Sequence, residues 1–394
     1  MQSKGGRIDW FTMVPVVALM LFSLAFVYSA SSSVAEIKFG SAENLFIKHS
    51  LRILLGLVIL IIFAKIDYHR WAKFTKLFLI ITIGLLIFVL IGGPTIHGAR
   101  RWIDFGFINF QPSELAKFAL IAHLAYLMAQ KQEHIKDFKE GMLPALIWSG
   151  GVCLLIALQP NFSNAFVIFM IALALMFIGN VNILHLSGIA ITGLAMAGIY
   201  ASQAPYRVQR ILSYIGLASG EQNTELIHNY QLKQALIALG NGGIFGLGVG
   251  ASRQRYLFLP ESYGDFIFSI IGEEYGYIGI TLILLTFCFI FIRGIIIARK
   301  APDDFGYFLS TGIILAFAGY VFINAGVNCG LLPTTGLPMP FISYGGTAVL
   351  FYAAAMGILL NISAQAGVYP RAEENAQEED GKESVERTHH PTPS

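Results

Sequence analysis

The chain has 394 residues, of which 55% are hydrophobic and 13% charged, with a mean hydropathy of +0.65 and a net charge of +2. Soluble domains carry about 25% charged residues, so an ordinary soluble globular protein is excluded, and a charge of +2 gives no bulk electrostatic case for nucleic-acid binding. Cys153, Cys288 and Cys329 match no zinc or redox spacing and read as small apolar residues.

A helix needs about 20 mostly apolar residues to cross a bilayer. In chain order ten stretches qualify, at 10–30, 46–64, 75–93, 112–130, 142–159, 163–180, 182–200, 266–298, 304–323 and 344–364. The first ends in "YSAS", which imitates a cleavage site, but its apolar run is longer than that of a typical cleaved signal and it reads as a retained helix. The fourth is the least apolar. The eighth is too long to be one straight helix, and its first part, through Glu274, is expected outside the membrane core. With the N-terminus inside, Lys and Arg gather at Lys4 and Arg7, Lys65 to Lys76, Lys131 to Lys139 and Arg293 to Lys300, against Lys38, Lys48, Arg100 and Arg101 in the short outer loops. That asymmetry sets the orientation. The expected fold class is an all-α polytopic membrane protein of ten transmembrane helices with both termini cytoplasmic. The membrane domain spans 1–367, with a large extracytoplasmic loop at 201–265 between helices 7 and 8. Residues 368–394 are polar and nearly free of apolar side chains, which reads as a disordered cytoplasmic tail.

Four segments on the expected outer side are too polar or too rich in Gly and Pro for their surroundings. In "GARRWIDFGFINFQPSELAK", Pro112 suits the first turn of the fourth helix, and Glu114 and Lys117, three apart, share a face. Lys117 lies about 8 Å into that helix, where an ammonium costs on the order of 3 kcal/mol unless it meets water or a partner. It reads either as half of a self-satisfying pair or as positive charge for a cavity, with Arg100 and Arg101 just above. "QPNFSNA", 159–165, is a polar turn in which Asn164 suits a helix cap. The large loop interleaves Arg207, Arg210, Arg253 and Arg255 with tyrosines, a pairing suited to phosphates and sugar faces. Within it Leu232 to Leu239 has helical apolar spacing fit for the membrane surface. Gly242 to Gly250 is neither a Walker loop nor a dinucleotide fingerprint, and reads as a flexible turn able to approach lipid or substrate closely. In "NCGLLPTTGLPMPFISYGG", prolines and glycines forbid a regular helix. Such backbone beside a membrane must be buried in protein or line a wet cavity, so the segment is expected to wall a site. The stretch "LPESYGDFIFSIIGEE" places Asp265 between Gly and apolar residues, where a carboxylate caps a helix or takes a proton.

Together, "GARRWI…QPSELAK", "LPESYGDFIFSIIGEE" and "LLPTTGLPMPFISYGG" resemble in order and spacing the signatures of the SEDS proteins (shape, elongation, division and sporulation) across residues 9–364. The resemblance is nearer to the FtsW branch than to the RodA branch. One departure is the 159–165 turn, where many members carry an acidic residue followed by Gly-Thr and this chain has Asn161, Ser163 and Asn164. The resemblance implies a ten-helix fold and an inverting peptidoglycan glycosyltransferase acting on lipid II at the outer leaflet during cell division, with the family's catalytic Asp on Asp265. It implies a class B penicillin-binding protein as transpeptidase partner, and other division-complex membrane proteins. Asp265 is then the expected general base, and Lys117, Glu114, Arg100, Arg101, Arg210, Glu261 and Ser343 are the expected substrate-binding residues. No covalent cofactor is expected. A divalent cation, Mg²⁺ or Mn²⁺, is a second source of positive charge for the leaving diphosphate. An elongation polymerase, a lipid II flippase and a non-catalytic scaffold are the competing readings. A solute transporter lacks the inverted repeat that would support it.

Overall fold

A computed structural model describes residues 6–96, 99–104, 109–203, 208, 214, 227–256 and 258–367. Each of the ten predicted spans contains a helix. These are α1 (Trp10–Phe39), α2 (Asn44–Lys65), α3 (Tyr68–Gly92), α4 (Pro112–Gln130), α5 (Leu143–Leu158), α6 (Phe162–Ile178) and α7 (Ile183–Ser202). After α8 (Ile227–Gly242) in the large loop come α9 (Ile267–Arg299), α10 (Asp304–Asn328) and α11 (Ala348–Gln365). Among the described residues, eight helices are long and apolar enough to cross a membrane by length and composition, α5 doing so together with the π-helical turn Phe138–Met142 before it. Of the two remaining predicted spans, α6 is apolar but only 17 residues long, and α4 carries polar side chains that make it the least apolar. The chain is thus a polytopic helical membrane protein.

Local sequence sets the helix ends. Asp9, Asp67, Asn182 and Asp303 cap α1, α3, α7 and α10 by accepting backbone N–H bonds, which satisfies donors the first turn leaves over. Pro112 opens α4 at its first turn, as its fixed φ favours. The α3–α4 connection adds what an all-α reading omits: β1 (Thr95–Ile96) pairs antiparallel with β2 (Ala99–Arg100), and β3 (Ile103–Asp104) with β4 (Asn109–Phe110).

Helix α1 runs nine residues past its predicted end, to Phe39. Its extension is held by protein, with Ser31, Val34 and Ala35 buried, and just before it Ser29 Oγ donates to Glu274 at 2.5 Å. Helices α4, α10 and α11 form the enclosed centre, α2 packs along α11, and α7 lies at the periphery. The amphipathic stretch Leu232–Leu239 lies in α8, which buries Leu232, Ala235 and Ala238 against α9 and α10 and exposes Leu236 and Ile237. One face of the stretch is therefore docked on protein.

Helix α9 breaks at Gly276, which has φ +67. The part before the break, Ile267 to Glu274, is buried inside the protein. The Gly-rich turn after α8 fills the break. Leu247 and Gly248 N–H donate to the Glu273 and Glu274 carbonyls, and Tyr277 and Ile278 N–H donate to Gly243 and Ile244, at 2.9–3.2 Å. A Cβ on Gly246 would sit 2.1 Å from Glu274 O, and one on Gly276 would sit 2.3 Å from Gly246 N. The close approach expected of this turn is thus made to helix backbone, because a broken helix in a membrane protein needs its freed groups paired internally.

Candidate functional site

Asp265 ends the loop that leads into α9. The helix begins at Ile267 with Phe266 in the N-cap position, so Asp265 stands one residue outside the cap. Its backbone is clamped from α10. Asn324 and Asn328, one turn apart, both donate Nδ2 to the Asp265 carbonyl, at 2.8 and 3.0 Å. Asn324 also donates to Leu337 O at 2.8 Å, and Asn328 Oδ1 accepts from Ser269 N and Oγ. Two amides thereby fix the start of α9 and the irregular segment before α11 to one helix. Gly336 of that segment meets the carboxylate: a Cβ there would lie 3.4 Å from Asp265 Oδ2.

Asp265 lines a cavity of about 660 Å³. Arg101 and Glu261 share it, with Asn161, Phe162 and Ser163 of the 159–165 turn, Gln231 of α8, and Leu332 to Gly336 of the irregular segment. That segment does wall a site, as its composition requires. Arg101 is held on the rim by donating Nε to Gln159 O at 3.1 Å and a terminal nitrogen to Pro160 O. Glu261 has φ +57, a conformation rare for a side chain of its size, and its carbonyl accepts from Gly264 and Phe266 N–H. A strained backbone of this kind persists where the surroundings enforce it. Between Glu261 and Asp265, burial pushes the Tyr263 phenol up to about 12, helped by Glu261 and Tyr344, so it stays protonated.

The other predicted residues fall elsewhere. Lys117 is 0% exposed and outside the cavity lining. Its ammonium sits 2.8 Å from Glu114 Oε2, 3.0 Å from Tyr352 Oη, and 3.9 and 4.2 Å from the ring centres of Tyr320 and Tyr352. The bland reading of a self-satisfied pair is thus geometrically complete. The box nevertheless backs onto the cavity wall: Tyr320 donates to Asn164 Oδ1, and Asn164 Nδ2 donates to Ser113 at 3.1 Å. Asn164 lies inside α6 and ties α6 to α10 and α4, in place of the capping role its position suggested. Arg100 is outside the lining of the Asp265 cavity and donates to Ile91 O at 2.9 Å beside a smaller groove of about 290 Å³. Ser343 is buried, and its Oγ accepts from Met339 N at 2.8 Å, shaping the turn at Phe341 (φ +64). Arg210 lies outside the described residues, as does the tail at 368–394. Among the described residues no group of three or more His, Cys, Asp or Glu side chains is placed to hold a metal ion.

Sequence reasoning missed Asn324, Asn328 and Gln231. The two asparagines left a signal, since amides spaced i, i+4 in an apolar helix need a buried partner. Gln231 left none.

Compared with known proteins, residues 10–367 match the model of the FtsW/RodA/SpoVE family, described as cell cycle proteins. The chain is 38% identical to the stage V sporulation protein E of Bacillus subtilis over 92% of this chain and 99% of that one. It is 37% identical to the probable peptidoglycan glycosyltransferase FtsW of Geobacter metallireducens over 91% and 95%. In structure it resembles a chain of a peptidoglycan synthase complex that coordinates polymerization and crosslinking, with TM-score 0.74, 24% identity and coverage of 91% and 98%. It also resembles the RodA protein of Thermus thermophilus, with TM-score 0.66, 24% identity and coverage of 92% and 98%.

Proposed function

The chain belongs to the FtsW/RodA/SpoVE family and is a peptidoglycan glycosyltransferase, and from that premise we propose that it joins lipid II units into glycan strands with Asp265 as general base. One observation carries the assignment: Asp265 lies on the wall of a cavity that also holds a guanidinium, with its backbone clamped from α10. The 4-hydroxyl of one lipid-linked disaccharide attacks the anomeric carbon of another. The new glycosidic bond forms as the bond to the diphosphate breaks, with inversion. Asp265 takes the hydroxyl proton, help worth roughly 10²–10⁴-fold, and the lipid diphosphate leaves as an anion. Among the described residues of the lining, Arg101 supplies positive charge for it. Lys117, Glu114 and Asn164 hold the wall behind it. Glu261, on the same cavity wall, is the carboxylate that would hold Mg²⁺ or Mn²⁺ while Asp265 keeps the base role, and the cation would supply Lewis-acid stabilisation of the leaving group.

The proposed topology of ten spans with both termini cytoplasmic, drawn from the Lys and Arg distribution, agrees with this reading, because in it Asp265 faces the outer leaflet. So does the collection of the Gly- and Pro-rich segments around one cavity. A flippase would need comparable openings at both faces. The septal role is proposed over lateral-wall elongation on the FtsW-like motifs and relatives. A class B penicillin-binding protein is the proposed transpeptidase partner.

Purified protein incubated with lipid II, with and without its cognate transpeptidase, tests the assignment. Native protein is expected to make glycan strands in detergent, and Asp265→Asn to lose at least 10²-fold in rate. Strand formation by Asp265→Asn at the native rate would remove the base, and absence of polymer from active native preparations would favour transport.

A further inference from the structure

Three cations are sunk into the helices, and two of them face a carboxylate. Lys117 meets Glu114 at 2.8 Å, and Arg293 meets Asp9 at 2.9 Å. The third, Arg52 of α2, is only 7% exposed, and among the described residues it makes no hydrogen bond and no ion pair. Its Nη1 is enclosed without a partner. What it touches is an aromatic face, with its Cζ 4.8 Å from the ring centre of Tyr344. A cation–π contact recovers only part of what desolvating a guanidinium forfeits. His49, one turn earlier on the same face, bonds Ser23 Oγ at 3.0 Å and packs against the Tyr344 ring, and its Nδ1 is also buried without a partner. Nothing here supplies the missing negative charge.

The site lies at the Asp265 end of the bundle. Tyr344 N–H donates to Tyr263 O at 2.8 Å, the two rings meet edge to face at 5.5 Å, and Tyr263 is two residues from Asp265. Yet neither Arg52 nor Tyr344 lines the cavity that holds Arg101. Arg52 stands about 12 Å along α2 from its first residue. An ionisable side chain within a membrane helix marks a functional site by default, and phosphates carried on lipids are the anions a bilayer supplies. The planar fork of a guanidinium matches phosphate oxygens two at a time.

We propose that Arg52, backed by Tyr344, binds the phosphate of a polyprenyl diphosphate at a second locus, outside the cavity that contains Arg101. The proposal rests on the polymerase reading: joining two lipid-linked saccharides requires two polyprenyl diphosphates to be held at once, with the base between them. Arg101 then serves one and Arg52 the other.

Native mass spectrometry of the protein in nanodiscs, titrated with undecaprenyl diphosphate, reads the stoichiometry without any turnover. Native protein and Asp265→Asn are expected to hold two molecules. Arg52→Gln is expected to hold one, with the second weakened at least 10-fold, and Arg52→Lys to fall between. Phosphatidylglycerol and inorganic pyrophosphate in tenfold excess are expected to leave the second molecule bound. Because Arg52→Gln removes a lone buried charge, its melting temperature is expected to equal or exceed that of native protein. Two molecules bound at native affinity by Arg52→Gln would overturn the proposal, as would displacement by phosphatidylglycerol, which marks an ordinary headgroup contact. A lower melting temperature with unchanged binding would mark Arg52 as structural. Arg52-dependent binding in a protein that forms no glycan would leave this site standing and remove the polymerase reading instead.

Discussion

At the scale of single residues, the site separates groups that face the cavity from groups that hold those in place. Asn324 belongs to the second kind: its amide reaches the Asp265 carbonyl and Leu337 O, and never the cavity itself. A displacement of about 1 Å can cost on the order of 10²-fold in rate. Asn324→Leu is therefore expected to lower kcat 10- to 100-fold while KM for lipid II changes little, and steady-state kinetics in detergent checks the split. Lys117 poses a different question, because its pair is complete without any substrate. Removing one partner of a buried ion pair costs about 3–5 kcal/mol, whereas replacing both with apolar residues is close to neutral. Lys117→Met is expected to lower thermal stability accordingly, and Lys117→Met with Glu114→Leu to recover most of it. Polymerisation by the recovered double variant at the native rate would show the pair to be purely structural. Activity lost in a stable double variant would show that the wall behind the 159–165 turn needs the charge.

At the scale of elements, the kinked helix α9 and the Gly-rich turn are one unit. The turn's N–H groups pair with carbonyls that the break at Gly276 leaves over, and its own carbonyls receive Tyr277 and Ile278. The carboxylates beside the kink are spent on the same purpose. Glu273 accepts from Ser252 at 2.5 Å and from Asn241 at 3.1 Å, while Glu274 accepts from Ser29 of α1. They therefore stand as scaffold, in contrast to Asp265 at the other end of the short segment. Gly246 has φ +84 and no room for a methyl group. Gly246→Ala is expected to destabilise by about 3 kcal/mol or more, from backbone strain and overpacking together. Melting in detergent should show it, and an unchanged melting temperature would mean that the turn does not support α9.

At the scale of the whole molecule, the ends of four helices meet at Asp67, on the face opposite the cavity in the proposed topology. Tyr68 N–H donates to Asn361 Oδ1 at 2.9 Å, Tyr68 Oη donates to Asp303 at 2.5 Å, and His69 bridges Asp67 and Asp303 at 2.8 and 2.7 Å. Burial alone would raise the Asp67 carboxyl, but hydrogen bonds from Gln365 and His69 outweigh it and hold the group below its usual 3.8. A depressed carboxylate contributes stability above its unfolded value, and that contribution is lost as the pH falls through the lower folded value. The group is 43% exposed, so the contribution is at most about 1 kcal/mol. Asp67→Asn is expected to lower the melting temperature slightly at pH 7, and the difference is expected to shrink steadily as the pH falls below 3.8, which a pH series of melts measures.

The sequence by itself determined that this is a helical membrane protein, where its apolar helices run, and which four segments break the pattern. Those properties are carried by local composition and by Pro, Gly and capping residues, whose effects reach only a few positions along the chain. It also singled out Asp265, Glu261 and Arg101, which share the cavity, because a charged residue beside apolar runs is conspicuous wherever it folds. Only the tertiary structure decided that Lys117 is enclosed by Tyr320 and Tyr352, that Arg100 and Ser343 are outside the cavity lining, that the Gly-rich turn repairs α9, and that Arg52 meets no counter-ion among the described residues. Each of these depends on what another helix brings to the same place. Partners such as Lys117 and Tyr352 are 235 positions apart, and no periodicity or local spacing encodes a contact across that separation.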